Sequence, residues 1–468
     1  MRHRHFLKLS VCILILSSCT VGPEYRQPAL DSGSEWTLET VADSQVDFIE
    51  WWKRFADPTL NNLVERAVSD NFDIRQAISR IEEVRALYNF TSATHFPTVD
   101  ASGSVSRRRQ SENGTLPISS IPGLDRDQTI YELGFDAIWE IDLFGGTRRA
   151  LEAADARLDE AMELRRDIQL SITAELVRRY IELRSFQNEL AVRQKIIETT
   201  RETYNLVRRQ YEAGEVAAAQ VAQADTRLKT QQAELPAIEA EIRTAALAIG
   251  LLLGNVPESE LSLLDQQPQS FMLTAVPVGT RADLLRRRPD IRAAERRLAA
   301  ATADIGIATA ELFPKLTLSA AGGFEALSSG NLLQSSSQTG LFVPILSWRI
   351  FDGGRIRAQV KVQEEVARQS ALGYEKAVLT ALSEAEQALT RYHYGLLSIR
   401  RQDESVATAK INQDYAKTRY EMGDTSLLEL LDAEQTVYEA ETTYTRLHRV
   451  AATQLVSLYK TLGGGWKN

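Results

Sequence analysis

Few residues of this chain are arranged for bond-making chemistry. Its five histidines fall at His3, His5, His95, His393 and His448, without the short spacings of a metal site. No serine–histidine–acid, cysteine–histidine or paired-carboxylate arrangement accompanies them, so an enzyme is not expected. Gly145-Gly146 and Gly353-Gly354 are not phosphate loops, because no GxxxxGK follows; they suit a bend from strand to helix. Two features stand out instead. The thiol of Cys19 follows Leu16-Ser17-Ser18, small residues behind an apolar stretch, where it could take an acyl chain. Glu429 and Asp432 are three apart and share one face of a helix. There they could set a local field, or they could be plain solvated surface acids.

The start of the chain places that thiol. Residues 1–8 are basic, residues 9–16 are apolar and Ser17-Ser18 are small, the three-part layout of an export signal. The junction with Cys19 resembles a bacterial lipobox, in which the cysteine is acylated and becomes the mature N-terminus. Thr20 in place of an aspartate points such a lipoprotein to the outer membrane. Removing residues 1–18 takes away Arg2, Arg4, Lys8 and Cys12, so the net charge moves from −9 to −12 and no disulfide partner is left for Cys19. An acidic balance of this size argues against nucleic-acid binding. After the signal no apolar run reaches the ~20 residues of a spanning helix. An acyl anchor adds membrane affinity but no path across a bilayer.

The body of the chain is one unit written twice. Asp73-Ile74-Arg75 recurs as Asp290-Ile291-Arg292 and Phe96-Pro97 as Phe313-Pro314, at a common offset of 217. Trp139 recurs as Trp348, Tyr211-Glu212-Ala213-Gly214 as Tyr420-Glu421-Met422-Gly423, and Leu253-Gly254 as Leu462-Gly463, at an offset of 209. The first copy therefore has the longer loop between its strands. The resulting division is a signal at 1–18, a lipidated N-terminal segment at 19–56, a first copy at 57–254, a linker at 255–280 and a second copy at 281–468. Each copy predicts a helical stretch (about 57–94 and 281–312), stopped at Phe-Pro because proline disfavours helix for the residue before it. A strand hairpin follows (about 98–140 and 316–350), then a very long helix (about 148–212 and 355–421). Apolar residues along the first long helix recur at three- and four-residue steps, and 65 helical residues span roughly 100 Å, which implies coiled-coil packing. Gly214 and Gly423 supply left-handed stops. A helix returns from each, and Pro236 is expected to kink the first.

The strands carry the functional signal. In 98–106, 131–140 and 316–325, apolar and polar residues alternate over about ten residues, as in strands with lipid on one side and water on the other. The fourth, 340–350, is weaker: Leu341, Val343 and Ile345 make its second face apolar, and Pro344 removes a ladder donor. Tyr131, Trp139 and Trp348 fit an aromatic girdle. Four strands do not close a barrel, and an open edge is not tolerated in lipid, so either the strands belong to a soluble sheet or several chains share one barrel, and the lipobox and long coiled coils favour the second. Arg107-Arg108-Arg109 falls at the start of the longer loop, where lipid phosphates or plain solvent could surround it. Asn113-Gly114-Thr115 is a glycosylation-like sequon without expected meaning.

These elements, with Val21-Gly22-Pro23-Glu24-Tyr25, Trp51-Trp52, Phe55-Ala56-Asp57-Pro58, Arg288-Pro289-Asp290-Ile291-Arg292, Phe351-Asp352-Gly353-Gly354-Arg355 and Leu430-Leu431-Asp432-Ala433, carry a family resemblance. The chain resembles the TolC-type outer-membrane efflux channels, in their NodT-type lipoprotein branch. That resemblance implies a mainly α fold with a small β part: a homotrimer whose four strands per chain make a twelve-stranded barrel, continued by a periplasmic α-barrel of long coiled-coil helices. It implies no cofactor beyond the covalent lipid on Cys19. It also implies a passive exit duct for drugs or other small toxic compounds, docked to a periplasmic adaptor and an inner-membrane pump of RND type. A duct for protein secretion is the alternative within the same architecture, and a periplasmic adaptor lipoprotein is a more distant one.

The resemblance also implies roles for particular residues. Glu429 and Asp432, with Tyr420, would line a pore gate, as rings of like charge that attract cations. The tips at Arg209, Tyr211 and Gly214, and at Arg419 and Gly423, are candidate adaptor-docking surfaces. In some family members an acid, an arginine and a tyrosine lock this end; here the first two positions are Gln220 and Thr425, so that lock is not expected.

Overall fold

The computed structural model describes residues 20–29, 33, 35–38, 48–111, 125–266 and 271–466. The first copy supplies α1 (Pro58–Asp70), α2 (Phe72–Ala93), β1 (Thr98–Arg109), β2 (Asp127–Ile141), α3 (Gly146–Glu212), α4 (Ala218–Gln232) and α5 (Leu235–Leu252). The second supplies α6 (Arg281–Arg287), α7 (Pro289–Ala310), β3 (Lys315–Ala326), β4 (Gln338–Ser347), α8 (Arg355–Glu421) and α9 (Leu427–Thr461). The fold is thus mainly helical with one small sheet, as the sequence implies.

Several details differ from the expectation. Each first helical stretch is two helices. Asn71 separates α1 from α2, and its side chain caps α2 by accepting from the amides of Asp73 and Ile74 at 2.9 and 3.2 Å. Arg288 separates α6 from α7, where Pro289 opens the new helix in the position that needs no donor. Pro236 does not kink one helix; α4 ends at Gln232 and α5 restarts with Pro236 in its first turn. The linker holds a 3₁₀ helix, Pro257–Asp265, whose buried Glu260 pairs with Arg66 at 2.6 Å.

The two 67-residue helices, α3 and α8, match their predicted ends closely. Ion pairs at helical spacing line α3, Arg178 reaching Glu175 at 2.6 Å and Glu182 at 2.7 Å. An aspartate caps the start of each: Asp142 accepts from the Arg148 amide at 3.0 Å, and Asp352 from the amides of Gly354 and Ile356 at 2.9 and 2.8 Å.

Contacts divide the chain into two compact units. One, Met1–Pro28 with Ile81–Glu160 and Ala294–Tyr374, contains the sheet. The other, Ala29–Arg80 with Ala161–Ala293 and Glu375–Asn468, contains the helical hairpin tips and most of the apolar core. In this second unit Trp51 is fully buried and stacks on Tyr459 with ring centroids 4.8 Å apart. Near it Asp57, buried at the start of α1, accepts from the Tyr180 hydroxyl at 2.5 Å.

Candidate functional site

The sheet runs β1-β2-β3-β4, antiparallel throughout, so β2–β3 pairing joins the hairpins of the two copies. Its register decides the faces. Val99, Ala101 and Val105 stand opposite Ala137, Phe135 and Tyr131. Phe135, Ala137 and Trp139 stand opposite Gly322, Ala320 and Leu318, which in turn face Gly340, Phe342 and Pro344. One side of the sheet is therefore apolar across all four strands. Phe135, Phe342 and Leu346 on that side are 62%, 68% and 67% exposed, so no described residue covers it.

The other side is polar in β1–β3. It holds Asp100 opposite Asp136, and Glu132 opposite both Ser104 and Glu325. Like charges facing directly across a ladder repel, an arrangement suited to a side in contact with water. Ser104 eases it by donating to Glu132 at 2.9 Å. Leu341, Val343 and Ile345 of β4 also fall on this side, as the weak alternation of that strand implies. Among the described residues, no helix is long and apolar enough to cross a membrane.

Trp139, Trp348 and Tyr131 all lie on the apolar face or its continuation. The two indoles repeat the duplication: Trp139 donates to the His95 carbonyl at 2.9 Å and Trp348 to the Leu312 carbonyl at 3.0 Å. Each ties the helix-side end of a strand to the turn before Phe-Pro. Tyr131 is partly buried eight residues up β2, toward the opposite end of the sheet.

The predicted arginine loop needs correction. Arg107, Arg108 and Arg109 are the last residues of β1, paired with Thr129, Gln128 and Asp127. The ladder runs on because β2 starts at Asp127, four residues before the apolar alternation begins. The Asn113-Gly114-Thr115 sequon lies outside the described residues.

At the hairpin tips, Gly214 and Gly423 adopt φ of 78° and 76°. Each is followed by a bond back to the long helix, Glu215 N to Gln210 O at 2.9 Å and Asp424 N to Arg419 O at 2.8 Å. Arg209 is exposed and Tyr211 is 47% exposed. Tyr420 is buried among Val207, Ala416, Leu427, Leu430, Leu431 and Ala433, and burial pushes its phenol above the ordinary tyrosine range. Its hydroxyl donates to Gln210 of the other copy at 2.6 Å. Thr425 donates instead to Glu429, so the Gln220–Thr425–Tyr420 cluster does not form.

Glu429 and Asp432 both lie exposed on α9 but are not equivalent. Arg419 reaches Glu429 at 3.2 Å and the Asp424 carbonyl at 3.1 Å. The carboxylate of Asp432 takes no hydrogen bond or ion pair among the described residues, and it stands among the acids that favour the charged form of Arg227.

A model of the family described as outer membrane efflux protein matches residues 63–255 and 281–464, well over half of the 468-residue chain. The chain belongs to the outer membrane efflux proteins. Its relatives include nodulation protein T of Rhizobium leguminosarum bv. trifolii, 32% identical over 97% of this chain and 96% of that one. The toluene efflux pump outer membrane protein TtgC of Pseudomonas putida is 30% identical over 99% and 96%. Among solved structures, the outer-membrane channel OprN is 36% identical with a TM-score of 0.85, covering 96% of this chain and all of that one. The open-state MtrE outer membrane channel of Neisseria gonorrhoeae is 28% identical with a TM-score of 0.83, over 96% and 99%. The chain is thus an outer membrane efflux channel component and not an enzyme.

Cys19 of this efflux protein lies outside the described residues. The segment after it is strapped down. Val21 donates to the Phe144 carbonyl at 3.0 Å, and the Arg149 guanidinium donates to the Val21 carbonyl at 3.2 Å. Gly22, at φ +88°, passes so near α7 that a Cβ there would stand 2.4 Å from the Gly306 Cα. Tyr25 donates to Glu295 and packs on Ala156, Ala299 and Ala300. Sequence reasoning marked Val21–Tyr25 but not its partners Phe144, Arg149 and Glu295, since these show no local pattern.

Proposed function

We propose that three copies of this chain close one barrel in the outer membrane and serve as the passive exit duct of a tripartite efflux system. The observation that carries this reading is the sheet: four strands, one apolar face shared by all, and, among the described residues, unpaired edges at β1 and β4. Unpaired edges in hydrocarbon leave backbone groups unsatisfied, which pairing of β4 with β1 of the next copy would cure. Cys19 carries the lipid, and the strap that begins two residues after it, at Val21, is bonded to Phe144 and Arg149 beyond the helix-side end of β2. The helical hairpins extend into the periplasm, where the tips at Arg209, Tyr211, Gly214, Arg419 and Gly423 meet a periplasmic adaptor, itself bound to an inner-membrane pump of RND type. Relatives named for the efflux of toluene and of antibiotics support small toxic compounds as cargo.

Within this duct Asp432 is the carboxylate that sets cation preference at the tip, because Glu429 is already held by Arg419. Conductance of the purified chain in planar bilayers, with cross-linking to count subunits, tests the reading. Cation-selective pores from a trimer are expected, with selectivity lowered by Asp432→Asn and changed less by Glu429→Gln. A monomer without pores would overturn the duct.

A further inference from the structure

The arginines that end β1 are divided by the ladder. Arg107 and Arg109 stand opposite Thr129 and Asp127, in line with Val105, Ala101 and Val99 on the apolar face, whereas Arg108 stands opposite Gln128 on the polar one. Gln110 N bonds to the Arg126 carbonyl at 2.9 Å, so Arg126 follows Arg108 to the polar side. Two guanidiniums therefore close the apolar face at the end of the sheet away from the helices. Arg107 lies two residues beyond Val105, ~7 Å along the strand at ~3.4 Å per residue. With a strand tilt near ~40° that is ~5 Å of height, which carries it past the apolar band into the headgroup layer.

Their charge is little compensated. Arg107 takes no hydrogen bond or ion pair among the described residues. Arg109 only approaches Asp127, at 3.9 Å, with both side chains largely in the open at 66% and 45% exposure. The carboxylates of Asp100, Asp136, Glu132 and Glu325 all stand on the opposite side. The other end of the apolar face is built differently: there the strands close on Trp139, Ile141, Leu316 and Leu346, and Arg148, which lines a pocket with Trp139, is paired with Asp142 at 3.2 Å. Among the strand residues of this face, the positive charge thus belongs to one end. Arginine stems lie along apolar surface while the head reaches the interface, and a guanidinium matches a phosphate with two parallel hydrogen bonds.

We propose that Arg107 and Arg109 bind the phosphate groups of a lipid of the outer leaflet, fastening the barrel to the outer face of its membrane. This rests on the barrel reading above. Vesicles of phosphatidylcholine containing diphosphorylated lipid A, against the same vesicles with dephosphorylated lipid A, provide the probe for the full-length purified protein. Native mass spectrometry of the extracted complexes counts the lipid retained. Retention should favour the phosphorylated form and fall about tenfold in Arg107→Gln/Arg109→Gln, with the loss of two charge-assisted contacts, while Arg108→Gln stays within about twofold. Equal retention of both lipids, or an equal loss in Arg108→Gln, overturns the site. Displacement by millimolar pyrophosphate as complete as by lipid A also overturns it, in favour of a soluble anion. Pore formation by the same preparations separates the two readings. Pores without phosphate preference remove the lipid site alone, whereas a wild-type chain without pores removes the barrel and the lipid site with it.

Discussion

The two hairpin tips began as the same sequence and no longer behave alike. Tyr211-Glu212-Ala213-Gly214 and Tyr420-Glu421-Met422-Gly423 end their long helices with the same left-handed glycine and the same bond back to the helix. Beyond the glycine they part. At the second tip Ser426 accepts from the Glu429 amide at 3.3 Å, and an unbroken helix of 35 residues follows. At the first tip the matching residue is Ala217, whose side chain caps nothing, and the helix stops after 15 residues. Tyr420 is 7% exposed where Tyr211 is 47% exposed. Gln210 and Arg419 occupy matching positions, yet Gln210 accepts from Tyr420 while Arg419 latches its own turn onto Glu429 and Asp424. A backbone motif duplicates intact, but the side chains around it decide which copy buries its tyrosine and which leaves it exposed.

This comparison can be broken or sharpened by substitution. The largest effect is expected at the tyrosines. Tyr420→Ala empties a buried site and should cost ~3 kcal/mol, whereas Tyr211→Ala should stay within ~0.5 kcal/mol; denaturant unfolding of the purified protein compares them. Equal costs would show that the tips are held alike. Next come the glycines. A Cβ at either Gly214 or Gly423 would meet no atom within 4 Å, so Gly214→Ala and Gly423→Ala should each cost only the left-handed strain of ~1–2 kcal/mol. A marked difference would mean that one tip is packed in solution.

Smaller again, Ser426→Ala should cost ~1 kcal/mol through loss of the cap, read as faster amide exchange at Leu428 and Glu429. Ala217→Ser at the other tip should slow exchange there.

The smallest effect is a matter of pH. Glu434 is buried on α9, where Thr203 donates to it at 2.5 Å. Burial pushes its carboxyl above the usual carboxylate range, with Thr203, Arg227 and Lys417 pulling partly back. Its folded value lies above its unfolded one, so its linked contribution to stability is present at low pH and is lost as pH rises through the folded value. Glu434→Gln keeps the acceptor for Thr203 and should raise the thermal midpoint at pH 7.5 by ~1–3 °C, the gain fading toward pH 4. A midpoint gain that does not change with pH would sink the linkage.

How far the sequence could be read follows from these residues. Helical periodicity and Gly-Gly starts place the long helices within two residues of their true ends, because both signals are local. Arg107-Arg108-Arg109 was legible as a charged stretch but not as strand, since arginine carries no alternation of its own; pairing with Thr129, Gln128 and Asp127 extends the ladder. The acids Glu429 and Asp432 were legible as a pair on one face. That Arg419 holds one and leaves the other could not be read, because it depends on how the turn at Gly423 folds back.

Period, length and stops were written in the sequence: two long helices, three strands with one apolar face each, and a glycine at each tip. Those are consequences of 3.6- and 2-residue repeats and of backbone sterics, which need no distant partner. Register was decided only in three dimensions. Pairing β2 of one copy with β3 of the other aligns separate apolar stripes into one face and sorts the arginines to either side of it. A shift of one residue would invert every side chain in a strand, and what prevents it is the joint fit of segments nearly two hundred residues apart.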